Sequence, residues 1–302
     1  MGIHWFTLRR DDQLNLRLPH YLLTTLALGM ALLSPQLAIG QNTPENSVHW
    51  AYSAFLGTGW YELDRNRQVY VLRIPPRWNY RQSSITESGQ RKLGIEFHFP
   101  LTFGLHQLED VGDFVDFDNI GTMSFNPGVE IEYPVSDRWQ LRAYGRLGWG
   151  VDTESDDSAW IYDAGLKSRY SFQSGSLDWG IVNELFVAGY DARESGNDKL
   201  TGMLAGLDFS YPIRSASDAG STLKFNWDIA YRWYENDPKF FGTLSTPVTI
   251  EDEWEIGAAI ARRNGPIRLW FMKFEQVGLI YRFNSDGSFR AFTVNFRAPF
   301  TR

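Results

Sequence analysis

Residues 223–234 read Leu-Lys-Phe-Asn-Trp-Asp-Ile-Ala-Tyr-Arg-Trp-Tyr. Leu223, Phe225, Trp227, Ile229, Tyr231 and Trp233 fall on one side of an extended chain, and Lys224, Asn226, Asp228, Ala230, Arg232 and Tyr234 on the other. Successive side chains of a strand point to opposite faces, so this segment predicts a strand with one oily and one largely polar face. The same split recurs at Leu93, Ile95, Phe97, Phe99, Leu101 and Phe103 against Glu96, His98 and Thr102, and at Trp139, Leu141, Ala143, Leu147 and Trp149 against Gln140, Arg142, Tyr144 and Arg146. Trp160, Tyr162, Ala164, Leu166 and Tyr170 oppose Asp163, Lys167 and Arg169, and Trp254, Ile256, Ala258 and Ile260 oppose Glu253 and Glu255.

Working outward, such segments lie near 52–62, 67–74, 91–105, 122–134, 138–150, 159–172, 176–190, 200–213, 222–234, 252–263, 270–283 and 288–300. About twelve antiparallel strands, many as long as the roughly 9 to 11 residues that a tilted strand needs to cross a bilayer, predict an all-β transmembrane barrel. Turn positions give the same parity. A loop at Ser174-Gly175 sets Tyr170 opposite Trp179, a turn at Ser136 sets Glu130 beside Arg142, and closure at Asp286-Gly287 sets Tyr281 opposite Phe292 and Leu279 opposite Val294. Connections near 106–120, 152–158, 191–199 and 235–251 are longer than those near 135–137, 173–176 and 264–266, as long external loops and short periplasmic turns would be. The segments 63–66, 75–90 and 284–287 break this pattern of lengths.

Alternation alone does not say which face meets water, because a soluble exported β protein also alternates. Here Trp and Tyr gather near strand ends of the oily face, as in the aromatic girdles of membrane barrels, while the other face carries opposite charges able to pair across a lumen. The residues expected to line that lumen are Glu96, Glu130, Glu132, Arg142, Arg146, Asp163, Lys167, Arg169, Lys224, Asp228, Arg232 and Glu255, joined by Lys92, His98, Asp178, Glu184, Glu253 and Arg282. They predict either a narrow charge-selective pore or an ion-pair network that fills the interior.

The N-terminus supports export. Arg9, Arg10 and Arg17 precede the apolar run Tyr21 to Leu33 and the small residues Ala38-Ile39-Gly40, the order of a secretory signal. Residues 1–40 are therefore expected to be a signal peptide, 41–51 a short periplasmic segment and 52–302 the barrel. Composition narrows the remaining classes. The 302 residues contain no Cys, which excludes disulfide scaffolds and thiolate metal sites. Mean hydropathy is −0.33, and no apolar run reaches the roughly 18 to 20 residues of a spanning helix. A net charge of −7 without a long basic run argues against a nucleic-acid partner.

The last segment carries Phe292, Val294, Phe296 and Phe300 on its oily face and resembles the C-terminal signal by which Gram-negative barrels are recognised for assembly; Pro299, Thr301 and Arg302 depart from that pattern. With the runs Gly94-Ile95-Glu96-Phe97-His98-Phe99-Pro100-Leu101 and Gly278-Leu279-Ile280-Tyr281-Arg282-Phe283, residues 50–302 resemble the solitary autotransporter-type β-barrels of outer membranes. That resemblance implies outer-membrane lipid, lipopolysaccharide and the barrel-assembly machinery as partners. Only Gln41 to Trp50 stand between the predicted cleavage site and the first strands, so a passenger-free, non-enzymatic barrel is expected, without cofactor or metal.

Two acidic loops, Glu109, Asp110, Asp113, Asp116 and Asp118, and Asp152, Glu154, Asp156 and Asp157, lack the EF-hand spacing and are read as solvated. The alternative enzyme reading, a lipid- or surface-acting hydrolase, would use His106 with Glu109 and Asp110, and Ser124 on the neighbouring strand.

Overall fold

The structure is a computed structural model. It describes residues 55–63, 67–105, 120–153, 156–194, 196–214, 222–236, 239–240, 248–262, 265, 267–269 and 272–296. The predicted signal, the segment 41–51, residues 106–119 and Phe300 lie outside these residues.

The principal sheet contains fifteen strand segments. They are β1 (Thr58–Leu63), β2 (Arg67–Ile74), β3 (Arg77–Arg81), β4 (Gly94–His98), β5 (Leu101–Leu105), β6 (Ile120–Phe125), β7 (Gly128–Pro134), β8 (Trp139–Asp152), β9 (Ser158–Ser174), β10 (Leu177–Ala192), β11 (Gly196–Arg214), β12 (Thr222–Tyr234), β13 (Asp252–Arg262), β14 (Gln276–Phe283) and β15 (Phe289–Asn295). Three pairs, β2/β3, β4/β5 and β6/β7, are each one long strand interrupted once, and each neighbour pairs antiparallel with the next until β15 closes on β1, Trp60 opposite Phe292. The result is a closed antiparallel barrel of twelve strands.

The interruptions have a common chemical cause. They fall at Pro75-Pro76, Pro100 and Pro127, where the ring nitrogen has no hydrogen to give and the preceding residue is restricted. The three breaks lie side by side and are stitched by the prolines' own carbonyls. Pro76 O accepts from Phe99 N at 2.9 Å, Pro100 O from Asn126 N at 3.2 Å and Pro127 O from Leu147 N at 3.0 Å. Above this seam β2, β5, β6 and the end of β8 are neighbours; below it β3, β4, β7 and the first half of β8 are. The predicted segment 75–90, too long for a turn, contains β3 and the short strand Ser84–Ile85, which pairs with Arg91–Lys92 just beyond it.

The faces are inverted relative to a water-soluble barrel. Along β13, Glu253, Glu255, Gly257, Ala259 and Ala261 are buried while Trp254, Ile256, Ala258 and Ile260 are exposed. Leu279 (63% exposed), Trp160 (58%) and Leu147 (58%) belong to a belt of large apolar side chains on the outside, far beyond the patches that water-soluble monomers present.

Several expected boundaries move. The first strand begins at Thr58, not residue 52, and the last-but-one at Gln276, preceded by a separate hairpin of Ile267–Leu269 and Met272–Phe274. The last described strand ends at Asn295. Two registers shift by two residues because the turns sit differently: Gly175 takes φ +60°, so Gly175-Ser176 forms the loop and Phe172 faces Trp179. A turn centred on Asp137 rather than Ser136, closed by Val135 N donating to Trp139 O, puts Glu132 opposite Arg142. A shift of two preserves which face each side chain occupies. The final hairpin has the expected pairs Tyr281–Phe292 and Leu279–Val294.

Gly148 sits against the seam: a Cβ there would lie 2.1 Å from Phe125 O and 2.2 Å from Asn126 Oδ1. Gly148→Ala is expected to cost about 1–3 kcal/mol of stability in urea unfolding followed by Trp fluorescence. Wild-type stability in that variant would contradict the close approach.

Candidate functional site: the barrel lumen

The enclosed face is built by the inward-pointing half of every long strand, and its charges sit where cross-strand register brings opposite signs together. Arg146 lies directly opposite Asp163, and its Nε meets both carboxylate oxygens at 3.0 and 2.8 Å while Nη2 reaches Oδ2 at 2.5 Å. This forked geometry is the strong form of an ion pair. Arg169 instead reaches across β10 to Asp208, at 2.6 and 2.7 Å. Gly180 makes that crossing possible, because a Cβ at that position would stand 3.0 Å from the Arg169 guanidinium.

On the side of the lumen formed by β12, β13 and β14, Glu253 is a shared acceptor, only 1% exposed. Arg232 Nη1 and Arg282 Nε each donate to it at 3.0 Å, and the Tyr234 hydroxyl donates at 2.7 Å. Glu255 stands 3.9 Å from Arg232. Asp228, buried beside Gly257, faces Asp208 across β11 and β12. Below the seam, Arg142 stands 3.6 Å from Glu130 and 3.5 Å from Glu132, and Lys167 3.8 Å from Glu130. Gln140 donates to Glu132 at 2.7 Å, and Tyr144 donates to Glu184 at 2.7 Å. Glu96 bonds His98 at 2.7 Å, with Arg77 at 3.7 Å. Lys224 lines a cavity of about 580 Å³ at the lower end, together with Asp178, Arg138 and Arg262.

All twelve residues read from sequence as lumen-lining therefore sit on the enclosed face, most of them in four groups: Arg146 with Asp163; Arg169 with Asp208; Arg232 and Glu255 around Glu253; and Glu96, Glu130, Glu132, Arg142 and Lys167 together. Lys92 is not among the lumen residues; it is exposed in the small ladder below β4.

The upper lumen differs from expectation. It holds an apolar cluster of Tyr61, Val71, Ile161, Phe186, Tyr190, Leu200, Tyr234 and Phe289, with Phe55 and Leu56 packed against it. Residues Phe55 to Gly57 do not extend the first strand but turn into the barrel. The Phe55 ring lies 4.8 Å from Phe186 and under the Arg232 guanidinium at 5.9 Å. Its carbonyl accepts from Arg282 at 3.4 Å, the Leu56 carbonyl from Arg73 at 2.9 Å, and the Tyr61 hydroxyl closes on Gly57 at both its N and O. The sequence carried part of this signal: Leu185-Phe186-Val187-Ala188 is apolar at both parities, so at that level the inward face cannot be polar.

Of the second acidic loop, Asp152 and Asp157 are buried, not solvated: Asp152 ends β8 on the enclosed side, and Asp157 Oδ1 accepts from the amides of Ser158 at 2.7 Å and Glu194 at 3.0 Å. His106, Glu109 and Asp110 lie outside the described residues, and Ser124 is buried on the enclosed face. In the closing strand, Phe292 is exposed, 4.8 Å from Tyr281 and 6.0 Å from Trp60 by ring centroids, and Phe296 stacks on Phe274 at 4.7 Å.

Neither known protein families nor curated proteins give a match to this sequence.

Because Glu253 neutralises two buried guanidinium groups, Glu253→Ala is expected to destabilise the barrel by about 3–5 kcal/mol, with a smaller loss in Glu253→Gln. Urea titration of both variants measures this. A loss below about 0.5 kcal/mol for Glu253→Ala would show that the charges find other compensation.

Proposed function

We propose that the chain is a non-enzymatic integral β-barrel of a Gram-negative outer membrane whose lumen is closed by its own side chains. The observation that carries this reading is the combination of an apolar belt outside with an interior of paired charges whose upper level is filled by an apolar cluster. Hydrocarbon cannot satisfy backbone polar groups, and a closed ring leaves none of its ladder edges bare to lipid. Water would have to hydrate the exposed Trp and Leu side chains at a large cost, whereas lipid accommodates them.

The even strand count and the alternation of long and short connections fit a barrel with its short turns at the periplasmic end, and the sequence from Phe292 to Phe300 fits a signal for the barrel-assembly machinery. Lipid and lipopolysaccharide are the surroundings this reading implies. The likeness of residues 50–302 to solitary autotransporter-type barrels supports a translocator-like scaffold. Phe55, seated between Phe186 and Arg232, blocks the level at which a continuous water path would have to pass.

A second reading, a narrow channel opened by withdrawal of the Phe55 segment, is favoured by the polar cavity of about 580 Å³ below it. Planar-bilayer recording separates the two. The closed barrel should be electrically silent, both as wild type and as Arg142→Glu. A steady conductance in the wild type whose ion preference reverses in Arg142→Glu would overturn the closed-lumen reading in favour of the channel. A lipid profile altered on deletion, restored by the wild type and not by His106→Ala, would instead support an enzyme.

A further inference from the structure

We propose that Glu96, His98 and Glu130 form a binding site for a first-row divalent metal ion, Zn²⁺ foremost, that clamps β4 to β7 just below the proline seam. One donor atom from each of the three residues lies within 4.8 Å of the others. Glu96 and Glu130 are directly opposed in the β4–β7 register, and His98 follows Glu96 on the same face at the position opposite Gly128. Two carboxylates facing each other across a ladder repel, so the register itself creates a demand for positive charge between them.

The donor set distinguishes this group from an ordinary acidic cluster. A tetrahedral ion with bonds of about 2.0–2.2 Å holds its donors about 3.4 Å apart, so a spacing within 4.8 Å requires a contraction of up to about 1.4 Å. Two flexible Glu side chains can supply a movement of that size through their own rotamers. Imidazole beside two carboxylates suits Zn²⁺ and its first-row neighbours, whereas Ca²⁺ and Mg²⁺ select all-oxygen shells. Glu96 and Glu130 also border a cavity of about 310 Å³, which leaves room for a water molecule as fourth ligand.

Three cations surround the group: Arg142 at 3.6 Å from Glu130, Lys167 at 3.8 Å from Glu130 and Arg77 at 3.7 Å from Glu96. These separations contrast with the 2.5 Å of Arg146 to Asp163. The cations can remain as outer partners of the carboxylates when an ion sits between the inner oxygens, the arrangement that orients metal ligands in general. In the ion-free protein His98 Nε2 faces Glu96 at 2.7 Å. Metal binding replaces that contact with a bond from the Nε2 lone pair, leaving the ring proton on Nδ1.

The location gives the ion a mechanical role. His98 stands two residues before Pro100 and is opposite Gly128, the residue after Pro127, so a metal bridge would fasten the lower parts of two interrupted strands where a ladder bond is missing.

The test uses the full mature barrel refolded in detergent, stripped with chelator and titrated with Zn²⁺ by calorimetry. The expected result is one ion per chain with a dissociation constant in the micromolar range or below, weakened at least about tenfold in His98→Ala and in Glu130→Gln. Absence of uptake, or uptake undiminished in both variants, overturns the proposal. X-ray absorption of the Zn²⁺-loaded wild type needs no variant to fold: a shell containing one imidazole nitrogen with carboxylate oxygens at about 2.0–2.2 Å supports the site. An all-oxygen shell would contradict it and assign the ion to surface acids.

Discussion

Everything in this molecule depends on paired charges being shut inside a ring of hydrogen-bonded strands while aromatic and branched side chains face outward. Separating the two faces requires a strict period of two, and closing the ring requires that no strand edge along its length be left bare. The interior then has to solve its own electrostatics. It does so by register: Arg146 opposes Asp163 and Arg232 opposes Glu253, so the ladder that positions the backbone also positions the ion pairs. Where register puts like charges together, as at Asp208 and Asp228, relief comes from a longer reach. Arg169 crosses a whole strand over Gly180 to meet Asp208.

The proline seam is a second consequence of chain chemistry. Three adjacent strands lose a donor at one level, and the loss is shared because each proline carbonyl still accepts a hydrogen bond from its neighbour. The strands are thereby interrupted together rather than singly, and the lower segments form a panel of β3, β4, β7 and half of β8. Glycine is needed where that panel meets the rest, since Gly148 lies against the backbone at the break and a methyl group has no space there.

Much of this was legible in the sequence, and the reason is the two-residue period. Residues 223–234 and 252–262 show the faces without ambiguity, and the strand count, closure and the final hairpin follow from repeating that reading. Parity also placed the charged residues on one face, though not which partners they take. Arg169 with Asp208 and the triple use of Glu253 depend on barrel curvature and on reach across strands, which a linear pattern does not encode. The seam was hidden because Pro100 and Pro127 interrupt segments whose alternation continues on either side, and the positions of the turns near Ser136 and Gly175 set registers that the pattern fixes only to within two residues. For residues 51–62 the sequence left open a first strand or a segment threading the lumen, and the inward turn at Phe55 falls between the two, with β1 beginning at Thr58. Its neighbours alternate weakly, and only the apolar lining at Phe186 and Tyr234 makes the lumen a better place for the ring than the barrel wall.

Which solvent touches the apolar belt is measured most directly by placing a photoactivatable, lipid-borne label in vesicles carrying the purified barrel. Trp227, Ile256 and Leu279 should be modified from within the hydrocarbon, and Arg232 and Glu253 on the same strands or their neighbours should be spared. Modification of Arg232 with protection of Trp227, or a chain that stays dissolved and folded without detergent or lipid, would contradict the account.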